Sequence, residues 1–132
     1  MDGDLVVQYA EGAFHRMVDM VCRRWPRAAP GPHRLRSCRI ISHRGEHDNR
    51  TRYENTLAAF DGAVAAGVWG IELDLRWTRD LVPVVIHDAD TRRLYHEAVP
   101  VHDATAEALK QRFPMIPSFQ EVVERYGGKT HL

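Results

Sequence analysis

Residues 82–88 read VPVVIHD, a nearly unbroken run of β-branched side chains that ends in a histidine and an aspartate. A strand with one wet face alternates apolar and polar residues, so a run without that alternation predicts a strand covered on both faces. Two further strand candidates precede it, Arg39 to Ser42 and GIELDL at 70–75. Between them, TLAAFDGAVAA (56–66) sets Leu57, Phe60 and Val64 at helical spacing, and Gly67 follows as a helix-ending residue. Strands alternating with helices, one strand being buried on both sides, predict an α/β protein with a parallel sheet. The connection between the second and third strands fits this least well. Only Arg76 to Leu81 separate them, fewer residues than a crossover helix needs. Six extended residues at about 3.3 Å each can still return along a strand, and a hairpin is the alternative.

The flanking segments add helices. Phe14, Met17, Val18, Val21 and Trp25 recur at helical spacing with Arg16, Asp19, Arg23 and Arg24 between them, which predicts an extra amphipathic helix over 11–25, packed on the main body. PRAAPGPHR (26–34) reads as a proline- and glycine-rich connector. Thr105 to Phe113 reads as a short helix begun by Thr105. Ser118-Phe119-Gln120-Glu121 has capping-box spacing and opens a helix that stops at Gly127-Gly128. The final KTHL begins another strand. The chain thus divides into an N-terminal extension, 1–36, and an α/β body, 37–132.

With 132 residues, 44% of them apolar, the chain has material for one core, and its eighteen basic residues balance eighteen acidic ones. That balance argues against nucleic acid as a partner, so any anion has to be held by local groups. Cys22 and Cys38 lack a metal-type spacing and read as reduced thiols. No basic-then-apolar leader opens the chain, and no apolar run approaches the roughly 20 residues that span a bilayer, so the sequence predicts a cytoplasmic protein. Membrane contact through the N-terminal helix is the less favoured reading.

Within the second strand candidate, Glu72 and Asp74 lie two positions apart, so their carboxylates project from the face opposite Ile71, Leu73 and Leu75. Two acids in an apolar strand repel each other unless a cation or strong donors neutralise them, and oxygen ligands favour magnesium or calcium over zinc. A half-exposed strand with an acidic solvent face is the plainer alternative. His43 ends the first strand as His87 ends the third. If the strands are parallel, both imidazoles and the acid pair gather at the carboxyl edge, where α/β folds place their sites. A hairpin would carry His87 to the wrong end. Arg44 adds a planar fork suited to phosphate, and Gly45 a close backbone approach or a left-handed turn. Glu54 reads either as a cap contributor or as a group that orients Arg44 or a histidine. A cation, two imidazoles able to exchange protons and an arginine point to phosphoryl chemistry. His43 and His47 form HxxxH, a zinc pattern only on a helix, and Gly45 with Asp48-Asn49 opposes a helix there.

Taken together, ISHRG (41–45), ENTLAAFDGAVAAG (54–67), IELDL (71–75), TRD (78–80), VPVVIHD (82–88) and IPSFQEVVE (116–124) resemble the glycerophosphodiester phosphodiesterase family in order and spacing. The resemblance covers roughly residues 38 to 132. It implies a (β/α)8 barrel of the TIM type that hydrolyses small-molecule glycerophosphodiesters of lipid metabolism to glycerol 3-phosphate and an alcohol, with a divalent cation, magnesium or calcium. It further implies His43 and His87 as the acid–base pair, Arg44 as the phosphate holder, Glu72 and Asp74 as metal ligands, and Glu54 as a supporting residue near both. Such a barrel takes roughly 200–250 residues or more, so the resemblance implies a truncated domain holding about three strands and the start of a fourth. The third acidic metal ligand would then lie beyond Leu132, which leaves the activity of the isolated chain open. Leu81 stands where the family's TxDG turn has glycine, implying a turn of another shape. Two alternatives stand beside this reading, a non-catalytic phosphate-binding module and a related phospholipase acting on lipid head groups.

Overall fold

The computed structural model describes Phe14, residues 16–23 and residues 28–132. The chain divides into two compact units, 1–38 and 39–132. In the first, Phe14 and residues 16–23 are helical (α1), with Met17, Met20 and Val21 exposed. The other residues of the predicted 11–25 helix lie outside the described ones. Part of the expected connector is also helical: α2 spans Pro32–Arg36 and follows Gly31 at its N-cap. Proline suits this first turn because its missing N–H has no intrahelical partner to lose.

In the second unit, β1 (Ile41–His43) and β2 (Gly70–Glu72) pair in parallel, with Ile41 opposite Gly70 and His43 opposite Glu72. α3 (Leu57–Ala65) connects them. Thr56 caps this helix by accepting from the Ala59 N–H at 3.2 Å, and Gly67 leaves it in the left-handed region at φ 75°. Its buried face is made of Ala59, Phe60 and Ala63, with Leu57 and Val64 at the margin. Phe60 meets Tyr126 edge-on, the ring centroids 5.8 Å apart. Burying each large apolar side chain of this kind contributes roughly 1.5–3 kcal/mol.

The expected third parallel strand is instead half of a hairpin. GIELDL splits after Glu72, and β3 (Leu75–Trp77) pairs antiparallel with β4 (Pro83–Val85), Leu75 opposite Val85 and Trp77 opposite Pro83. The two-faced burial nevertheless holds. Val85 packs with Phe60, Ile71, Val122 and Tyr126, whereas Val84 and Ile86 join Val101, Leu109, Phe113 and Ile116 on the other side. Continuous apolarity reports two covered faces, and helices cover an antiparallel strand as well as a parallel one. The next parallel position beside β2 comes from the end of the chain, where His131 bridges Gly70 and its carbonyl accepts from the Ile71 N–H at 2.8 Å. Among the described residues there are thus two parallel strands and the start of a third, not three and the start of a fourth.

The hairpin turn also differs from expectation. Leu81 keeps the left-handed conformation that glycine would favour, at φ 59°, rather than imposing another shape. Thr78 and Asp80 brace it: the Thr78 hydroxyl donates to Asp80 at 2.6 Å and accepts from the Val82 N–H at 3.0 Å, while Asp80 accepts from the Ala106 N–H at 3.0 Å. Beyond β4 come α4 (Arg92–Tyr95), a 3-10 turn at Val101–Asp103, α5 (Ala106–Arg112) capped by Thr105, and α6 (Phe119–Tyr126). The capping box before α6 is complete, as Ser118 accepts from the Glu121 N–H at 3.2 Å and Glu121 from the Ser118 N–H at 2.8 Å.

Candidate active site

β1 delivers His43 to its carboxyl end, and the chain then turns through two successive left-handed residues, Arg44 at φ 58° and Gly45 at φ 83°. Both sequence readings of Gly45 apply, because a Cβ there would also lie 2.8 Å from the backbone of Ala59 in α3. For Arg44 this conformation costs roughly 1–2 kcal/mol. Backbone bonds hold it, with the Arg44 N–H donating to the Glu72 carbonyl at 2.9 Å and the Asn55 N–H to the Arg44 carbonyl at 3.0 Å.

The turned arginine sits between two acids. Its Nη1 donates to Glu54 Oε1 at 3.0 Å, and its buried Nε lies 3.0 Å from Asp74 Oδ2 without the alignment of a hydrogen bond. Asn55 steadies Asp74 from the other side, donating from Nδ2 to Oδ2 at 2.9 Å and accepting from the Asp74 N–H at 3.4 Å. Glu54 is only 3% exposed. Besides Arg44, it accepts from Asn49 Nδ2 at 2.6 Å and Arg93 Nη2 at 2.5 Å. Burial alone would raise its pKa, but the bonds from Arg93, Asn49 and Arg44 outweigh that and lower it to about 2. Thr56 caps α3, so of the two readings of Glu54 the structure favours the group that orients Arg44.

The alternation along 71–74 is as expected. Ile71 and Leu73 face the core, while Glu72 is exposed and stands opposite His43, whose Nε2 lies 3.8 Å from Glu72 Oε2. Glu72 and Asp74 offer hard oxygen donors. Among the described residues, no group of three His, Cys, Asp or Glu is arranged to hold a metal. Oxygen donors of this kind are those that the hard cations magnesium and calcium take. His43 ends a strand and His47 lies in a loop, so HxxxH is not helical.

His87 reaches the same edge through the hairpin, the alternative that the sequence reading expected to carry it to the wrong end. Because the hairpin begins only at Leu75, past Glu72, β3 runs outward from the carboxyl end of β2 and β4 runs back to it. The Ile86 N–H donates to the Asp74 carbonyl at 3.0 Å, and Arg76 Nε to the His87 carbonyl at 2.9 Å. His87 Nδ1 lies 2.6 Å from Asp88 Oδ1. Arg93 completes the link, its Nε donating to Asp88 Oδ2 at 2.6 Å while its Nη2 reaches Glu54. Burial pushes the Asp88 carboxyl up, and hydrogen bonds from Arg93 and His87 more than reverse this, so its pKa falls below the usual range.

Four residues of this network escaped the sequence reading: Asn49, Asn55, Asp88 and Arg93. Asp88 followed a chosen histidine and Asn55 a chosen glutamate, so adjacency could have flagged them. Arg93, in a stretch without clear periodicity, gave no signal.

The profile of the glycerophosphoryl diester phosphodiesterase family matches residues 43–130. The chain belongs to this family. A glycerophosphodiester phosphodiesterase of Caldanaerobacter subterraneus subsp. tengcongensis is 38% identical over 104 residues, 70% of this chain and 42% of that protein. The crystal structure of a glycerophosphodiester phosphodiesterase from Thermotoga maritima superposes with a TM-score of 0.59 at 41% identity, over 66% of this chain and 38% of that one. An Oleispira antarctica phosphodiesterase, solved in complex with the product sn-glycerol-3-phosphate, gives a TM-score of 0.59 at 25% identity, over 70% of this chain and 41% of that one. The chain therefore spans about two fifths of the length of these family members. No described helix is long and apolar enough to cross a membrane.

Proposed function

We propose that this chain carries the cation-, phosphate- and proton-handling residues of a glycerophosphodiester phosphodiesterase, within a (β/α)8 barrel begun by β1, α3 and β2. The observation that carries the proposal is the convergence of His43-Arg44, Glu72-Asp74 and His87 on one edge through the contacts above. Likeness to a phosphodiesterase solved with sn-glycerol-3-phosphate supports the substrate class.

In this reading Glu72 and Asp74 hold a divalent cation, which when bound supplies positive charge to the phosphoryl oxygens. Arg44, oriented by Glu54, donates from its guanidinium to the phosphate and offsets the charge that builds up in displacement at phosphorus. Asp88 accepts from His87 Nδ1, which leaves Nε2 bare to take a proton as general base. His43, exposed at the end of β1, then protonates the leaving alkoxide. The attacking group is water, or a neighbouring hydroxyl of the substrate whose cyclic phosphate water then opens to glycerol 3-phosphate.

A coupled assay of glycerol 3-phosphate release tests the reading on this chain continued by the unmatched remainder of the Caldanaerobacter subterraneus relative, using a panel of glycerophosphodiesters and intact phospholipid vesicles with magnesium, with calcium and after EDTA. Release from the soluble diesters, lost with EDTA, is expected. Turnover confined to the vesicles would favour the phospholipase alternative.

A further inference from the structure

The hairpin leaves His87 outside the parallel strands, and its ring meets the side chain of Asp88. Its neighbour Asp88 is fixed from one side by His87 Nδ1 and from the other by Arg93, whose Nε lies 2.6 Å from Asp88 Oδ2. The same guanidinium reaches back to Glu54, with Nη2 at 2.5 Å from Oε1 and Nη1 at 3.3 Å from Oε2. Glu54 in turn binds Arg44. The two ends of this bridge are 34 residues apart in the chain and belong to the loop after β1 and the segment after β4. Arg93 therefore ties the element carrying Arg44 to the element carrying His87 through charged groups.

We infer that Arg93 is a positioning residue: its forked guanidinium pins Asp88, and through Asp88 the orientation and tautomer of His87, relative to Arg44. The part of this that concerns turnover rests on the phosphodiesterase reading, whereas the tautomer does not. The fork is essential to the role. A guanidinium presents a rigid, planar set of donors and can bind two carboxylates at once, while an ammonium is a compact point charge on a flexible stem. Each of the three nitrogens of Arg93 donates to Glu54 or Asp88, so the residue acts on the chemistry through these neighbours.

Long-range 1H–15N correlation spectra of the histidine rings in the 132-residue chain read the tautomer directly. Wild type is expected to show His87 with its proton on Nδ1. In Arg93→Met that form gives way to the Nε2–H form that predominates for a free imidazole, and in Arg93→Lys to a mixture of the two. The lysine variant keeps the charge and decides the matter if the methionine variant does not fold. An unchanged Nδ1–H signature in the folded variants overturns the inference. In the release assay, kcat is expected to fall roughly 10²-fold in Arg93→Met, as for a misplaced catalytic group, with KM unchanged and partial recovery in Arg93→Lys. A raised KM at constant kcat would make Arg93 a substrate contact and overturn its positioning role. A tautomer change in this chain, with no release of glycerol 3-phosphate from the wild-type chain continued by the remainder of the Caldanaerobacter subterraneus relative, upholds the positioning and contradicts the phosphodiesterase reading, so the two failures are distinguishable.

Discussion

His87→Ala lowers glycerol 3-phosphate release by roughly 10²–10⁴-fold, the range that a positioned general acid or base contributes, while leaving the fold intact. The side chain is partly exposed and lies outside both apolar clusters, so truncation opens no core cavity. In the proposed reading it removes the Nε2 lone pair of an imidazole whose Nδ1 lies 2.6 Å from Asp88. The loss then falls on kcat, because the phosphate remains with Arg44 and with the cation that Glu72 and Asp74 would hold. Activity that survives within about threefold, in a protein with an unchanged circular dichroism spectrum, would remove His87 from the proton-transfer pair.

Glu54→Ala produces the largest expected change in stability. This nearly buried carboxylate is held below its ordinary pKa of 4.5, at about 2, mainly by Arg93, Asn49 and Arg44 working against the penalty of burial. At 1.36 kcal/mol per pKa unit, that difference corresponds to about 3 kcal/mol favouring the folded state. Removing one partner of a buried ion pair costs a similar amount, roughly 3–5 kcal/mol, since the other charge stays behind without compensation. For a domain of this size each kcal/mol shifts Tm by roughly 4–8 °C, so calorimetry should show a fall of more than about 10 °C. The sign of the pH dependence follows from the depressed pKa. The contribution is fully present above pH 4.5, the unfolded value, and is lost as pH falls through the folded value of about 2. Wild type therefore loses stability across that acid window more steeply than Glu54→Ala does. Equal slopes in the two proteins would mean that Glu54 is not held as an ion.

Local patterns in the sequence were legible where a short-range rule decides the structure. The Thr56 and Thr105 caps, the Ser118–Glu121 box, the glycine stop at Gly67 and the opposed faces of Ile71/Leu73 and Glu72/Asp74 all depend on neighbours within a turn or a strand. The direction of β4 does not. Val84, Val85 and Ile86 specify burial on two sides, but which strand they pair with depends on where β2 stops, and the break between Glu72 and Leu75 leaves no apolar signature. The same break explains why the hairpin does not misplace His87. A turn starting at the end of β2 that returns to that end keeps the histidine beside Asp74, an outcome that reasoning from strand direction alone could not reach. The site residues read from their chemical type are joined by contacts the sequence did not announce. Asn55 reads Asp74 with both ends of its amide, and Arg93 bridges residues far apart in the chain.

The most direct measurement is made on a chimera in which this chain is continued by the unmatched remainder of the Caldanaerobacter subterraneus relative. Phosphorus NMR then follows a soluble glycerophosphodiester with magnesium or calcium present. The account predicts that the diester signal is replaced by that of glycerol 3-phosphate, that EDTA stops the conversion, and that Glu72→Gln or His87→Ala in this chain's portion does the same. A folded chimera that binds the cation and leaves the diester untouched would contradict it.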